Sequence, residues 1–168
     1  MSGGVLMGLS PRAVLIGIAL GCVAAVGGAL VSQHTFGMEP CPWCVLQRVI
    51  FLAIALVCLL AAAVPARLAV IGAALLSIAL ALGGVAAALY QHFVAAKSQS
   101  CNLTLADKIV GALRLEPLAP EVFQVRANCA DAAVNLLGVP YEFWSLALFA
   151  LVIIVAVTLM RARTPRLR

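Results

Sequence analysis

The chain has 168 residues, 65% of them hydrophobic and only 10% charged, and a mean hydropathy of +1.15. That composition excludes an ordinary soluble globular domain and points to a membrane protein. The net charge of +5 is spread over short segments between apolar runs, so it orients helices in a bilayer and forms no nucleic-acid patch.

Charge-free stretches cover residues 13–38, 49–66, 68–96 and 143–160. Each reaches the roughly 18 to 20 residues needed to cross about 30 Å of hydrocarbon. The expected fold is therefore an all-α membrane protein, a bundle of four transmembrane helices near 13–32, 44–64, 68–90 and 143–160. One such bundle uses nearly the whole chain, so residues 1–168 read as a single membrane domain with outer loops near 33–43 and 91–142. The first stretch is too long for the h-region of a secretory signal and reads as a true span.

Arg12, Arg67, Arg161, Arg163, Arg166 and Arg168 crowd very short segments on one side. The opposite side spreads Arg48, Lys97, Lys108, Arg114 and Arg126 over a much longer span. The density of positive charge predicts both termini in the cytoplasm.

In chain order, the first helix is rich in glycine (Gly17, Gly21, Gly27, Gly28), which predicts close helix approach. Cys22 in its interior reads as a small core residue. The loop that follows holds His34, Glu39 and the prolines around Cys41, and these prolines are expected to delay the second helix until Cys44. Cys58 lies within that helix. The third helix leaves the membrane through Tyr90, Gln91 and His92. In the second outer loop, Leu105, Ile109 and Leu113 recur at helical spacing opposite Asp107, Lys108 and Arg114, predicting a short amphipathic helix on the membrane surface. Tyr141 and Trp144 introduce the last span.

The chemistry lies in the cysteines. Four of six, Cys41, Cys44, Cys101 and Cys129, fall on the outer side, where an oxidising compartment permits disulfides. Cys41-Pro42-Trp43-Cys44 is a CxxC at the head of a span, where free amide groups and the helix dipole favour a thiolate on Cys44. Arg48, one turn along, adds a fixed cation on the same face; its alternative role is a snorkelling interfacial anchor. A zinc site would want a second close pair, which the 28-residue gap between Cys101 and Cys129 does not provide. No metal is expected. As a simple clip the CxxC ring is worth only about 2 kcal/mol, whereas the loop closed by Cys101 and Cys129 would be worth roughly 3 to 4 kcal/mol, so the distant pair alone could be structural.

The run from Cys41 through Arg48 (CPWCVLQR), the four spans and the two cysteines of the long outer loop resemble the DsbB family of bacterial inner-membrane thiol oxidases. The resemblance implies a protein dithiol:quinone oxidoreductase that reoxidises a DsbA-like periplasmic thioredoxin-fold oxidase. It implies attack by that partner on a Cys101–Cys129 disulfide, with the mixed disulfide at Cys101, transfer from Cys129 to Cys41, and delivery from Cys44 to ubiquinone or menaquinone held near Arg48, with His92 a second quinone neighbour. It also implies a quinone pool as the terminal acceptor and periplasmic active cysteines. The other readings open to the residues are a vitamin K epoxide reductase-like enzyme, in which the CxxC usually comes late in the chain, and a metal-binding membrane subunit using Cys41, Cys44, His34 and His92.

Overall fold

A computed structural model describes residues 10–97 and 104–161. Four long apolar helices run antiparallel: α1 (Pro11–Phe36), α2 (Pro42–Ala63), α3 (Arg67–Phe93) and α6 (Tyr141–Arg161). All four are long and apolar enough to cross a membrane. Between α3 and α6 lie the short helices α4 (Leu105–Leu113) and α5 (Pro120–Phe123) and a tight hairpin pairing Asn135–Leu136 with Val139–Pro140. Leu20, Leu60, Leu82 and Ile154 point outward from the spans, an apolar exterior that suits lipid and not water.

The local chemistry explains the helix ends. Ser10 caps α1 through Ala13 N–H, and Gly37 closes it in the left-handed region at φ 64°. Helix α1 therefore runs to Phe36, so Gln33 and His34 are helical and not in the loop the sequence predicts. Pro42 likewise starts α2 instead of delaying it, because proline at the first helical position has no amide to lose. Helix α3 continues through His92 to Phe93, and α4 ends at Leu113, capped by Arg114 in the left-handed region at φ 49°. Thr104 and Asp107 form a capping box at the start of α4.

The core joins α2, α3 and α6 where Phe51 stacks on Phe149 with centroids 4.0 Å apart. Gly84 allows that contact: a Cβ there would meet the Phe149 ring at 2.5 Å. The glycines of α1 behave otherwise, since a Cβ at Gly17, Gly21, Gly27 or Gly28 would meet nothing within 4 Å. They do not draw helices together as their composition suggests. Gly21 and Gly28 instead help to form the wall of a cavity of about 520 Å³, bounded mainly by α1, α2 and α6. A smaller cavity of about 210 Å³ adjoins it, sharing Gly21, Phe51 and Leu148.

Candidate functional site

Cys41 is the N-cap of α2, and its sulfur accepts from the Cys44 amide at 3.3 Å. The CxxC thus forms the capping turn of its own helix: Cys44 falls in the first turn, and the two sulfurs stand 2.8 Å apart. Cys129 comes from the other side and hydrogen bonds with Cys41, so Cys41 touches both partners. The thiol of Cys41, wholly buried, is pushed up by its hydrogen bonds to Cys129 and Cys44 and by burial. The hydrogen bond from Cys41, aided by one from the Trp43 backbone, holds the Cys129 thiol below its ordinary range against the opposing effect of burial. Cys101 lies outside the described residues.

The second outer loop reaches Cys41 because a strap holds it there. Residues 120–127 cross the first loop, with the amides of Arg126 and Ala127 donating to the Pro40 carbonyl at 3.0 and 3.2 Å. Glu121 pairs with Arg126 at 3.2 Å and with His34 at 3.4 Å. Arg48 completes the strap from below: Nη1 donates to Gln33 Oε1 at 2.9 Å and to the Val122 carbonyl at 3.0 Å. Helix α4 packs Ala106 and Val110 into the same cluster as Trp43, Val45, Leu46 and Cys129.

Arg48 is only 5% exposed, so it does not snorkel to water. It lines the large cavity together with Cys44, Gln47 and Gln91. These four gather at the cysteine end, and the wall beyond them is apolar, with Ala25, Val26, Phe51 and Leu148. A polar head set against an apolar trough suits an amphiphile with a hydrogen-bond-accepting head and an apolar tail.

Two residues not singled out by sequence reasoning complete the head. Gln47 Nε2 donates to Gln91 Oε1 at 2.8 Å, and Gln91 Nε2 in turn donates to Cys44 Sγ at 3.3 Å. The signal was available, because an amide within an apolar span needs a reason. His92 does not line the cavity. Its Nδ1 stands 2.6 Å from Oε1 of Glu142, which does.

With His34 and His92 turned to glutamates, neither histidine joins the cysteines in a ligand set. Among the described residues no group of three His, Cys, Asp or Glu side chains could hold a metal ion. The buried Cys22 and Cys58 lie in the apolar core, Cys58 with its sulfur 3.4 Å from Ser77 Oγ.

Sequence comparison places these features in context. The family model described as Disulfide bond formation protein DsbB matches residues 11–159. Disulfide bond formation protein B 1 of Pseudomonas savastanoi pv. phaseolicola is 38% identical over 155 residues, covering 90% of both chains. The protein of that name from Pseudomonas syringae pv. syringae is 37% identical over the same share of both chains. Disulfide bond formation protein B of Aromatoleum aromaticum is 32% identical over 90% of this chain and 93% of its own.

Proposed function

The chain belongs to the DsbB family of disulfide bond formation proteins, a multi-pass bacterial membrane family, and on that premise we propose that it reoxidises a periplasmic DsbA-type thiol oxidase and passes the electrons to a membrane quinone. The observation that carries this reading is the position of Cys41, in contact with Cys129 on one side and Cys44 on the other, while Cys44 faces the cavity.

Each step is a thiol–disulfide exchange or a two-electron transfer, and each balances. A partner thiolate attacks Cys101 of a Cys101–Cys129 disulfide, making a mixed disulfide and releasing the Cys129 thiolate. Cys129 attacks Cys41 of the Cys41–Cys44 disulfide, forming a Cys41–Cys129 bond and releasing the Cys44 thiolate. The partner's second thiolate resolves the mixed disulfide and leaves oxidised, and the freed Cys101 restores the loop pair by attacking Cys129. Cys41 and Cys44 remain as a reduced pair that yields two electrons.

A quinone supplies the two-electron acceptor. Cys44, Gln47, Arg48 and Gln91 would hold its ring, and the apolar wall running past Gly21 would take its tail. His92 then acts through Glu142, not as a direct quinone neighbour. The cysteine end faces the periplasm and both termini face the cytoplasm of the bacterial inner membrane, consistent with Arg67 and Arg161 at the opposite helix ends.

Trapping tests the route. A partner that keeps only its attacking cysteine should be trapped in a mixed disulfide with Cys101 of the oxidised protein, because no second thiolate is there to resolve it. A mixed disulfide formed instead at Cys41, or none, would break the proposed order.

A further inference from the structure

Glu142 is 3% exposed, at the head of α6, and lines the large cavity. One of its oxygens is engaged by His92, 2.6 Å away. The other, Oε2, is buried with no hydrogen-bond partner among the described residues. A buried acceptor left unpaired is costly, and more so when charged, so such a group in a membrane span calls for a purpose. A carboxyl oxygen in this position is satisfied when a ligand in the cavity shares a hydrogen bond with it.

His92 is placed to reload it. Its side chain is 31% exposed against 4% for Glu142, so the pair runs from the aqueous end of α3 to the cavity wall. Phe93 and Phe143 flank the imidazole, with centroids 4.9 and 4.7 Å away.

We propose that Glu142 is the proton donor for quinone reduction at this site and that His92 relays its replacement proton from the outer aqueous face. The inference rests on the quinone reading above. The balance requires such a donor. When Cys41 as a thiol and Cys44 as a thiolate close to a disulfide, they release two electrons and one proton, whereas a quinone becoming a quinol takes two electrons and two protons. Glu142 gives the second proton, replacing the one Cys44 lost on ionising, and His92 returns it from water.

The test uses the full-length protein with a soluble short-chain ubiquinone as acceptor. Glu142→Gln, nearly isosteric, should lower quinone-dependent turnover by about a hundredfold, the lower end of what a positioned proton donor contributes. Quinone affinity, read from quenching of Trp144 at the cavity wall, should stay within about twofold, since a proton donor adds to the barrier and not to uniform binding. In Glu142→Ala, formate should restore turnover in a concentration-dependent way, which a misfolded protein could not show. Infrared difference spectra of quinone reduction should contain a protonated-carboxyl band in the wild type that Glu142→Gln abolishes. Turnover unchanged in Glu142→Gln, or an affinity loss as large as the turnover loss, would overturn the proposal. A wild-type protein with no quinone-dependent turnover would instead overturn the reading on which it rests.

Discussion

The amide nitrogen of Gln91 stands 3.3 Å from the sulfur of Cys44, although 47 residues separate them in the chain. Gln91 is itself oriented by Gln47, so α2 and α3 cooperate to aim a neutral donor at the sulfur that faces the cavity. A donor held in place within a buried site stabilises negative charge on sulfur without adding a charge of its own.

Gln91→Leu should therefore slow the quinone half-reaction by about tenfold, the worth of one hydrogen bond at about 1–1.5 kcal/mol. Gln47→Leu should lose part of this, because Gln91 would keep its amide but not its aim. The rate of quinone reduction by pre-reduced protein, followed in stopped flow, reads both effects.

Arg48 has two kinds of partner, the cavity and the strap, and its replacement should affect both. Arg48→Met should raise the apparent quinone KM by roughly ten- to a hundredfold, matching about 1.5–3 kcal/mol for a charged donor. One stoichiometric oxidation of the partner should persist. The same variant frees Gln33 and the Val122 carbonyl, so limited proteolysis near residues 120–127 should become faster. Arg48→Lys should recover only part, since an ammonium cannot reproduce the two directed bonds of the guanidinium.

The hydrogen bond from Cys41 gives Cys129 its thiolate character. In the reduced protein, alkylation of Cys129 against pH should show a midpoint below that of an ordinary thiol. Cys41→Ala removes the donor and should move that midpoint up. The position of the midpoint decides the question, because changes in exposure alter only the plateau.

Gly21 adjoins both cavities, and a Cβ there meets nothing within 4 Å. Gly21→Leu should thus fold normally and fill the passage between them. The KM for a long-tailed quinone should rise by about tenfold, equivalent to about 1.4 kcal/mol of lost contact, while that for a tailless quinone changes little. Gly84→Ala should behave in the opposite way, destabilising the bundle by about 1–3 kcal/mol because the Phe149 ring leaves no room for the methyl group.

What could be read from the chain follows from which signals are local. The four spans and the CxxC at the head of the second depend on hydropathy and near-neighbour spacing, and they appear where the sequence places them. Helix ends were less legible: Pro42 can block or begin a helix, and only the cap formed by Cys41 decides between them. The strap was invisible because its anchors are backbone carbonyls, those of Pro40 and Val122, which no side-chain pattern encodes. The glycines of α1 carried a real signal read the wrong way, since smallness serves close packing and an open cavity equally well. Gln47, Gln91 and Glu142 are polar groups at span ends whose roles depend on partners 44 to 50 residues away, beyond the reach of any local pattern.

The central claim is that electrons from a partner's dithiol leave through a quinone. Purified protein should be mixed with a reduced DsbA-type thioredoxin-fold oxidase in excess and a soluble quinone, and both partner thiols and quinone absorbance should be followed. The account predicts many turnovers, with one quinone reduced for each partner disulfide formed. Oxidation that stops once the protein's own disulfides are spent, with the quinone unchanged, would contradict it.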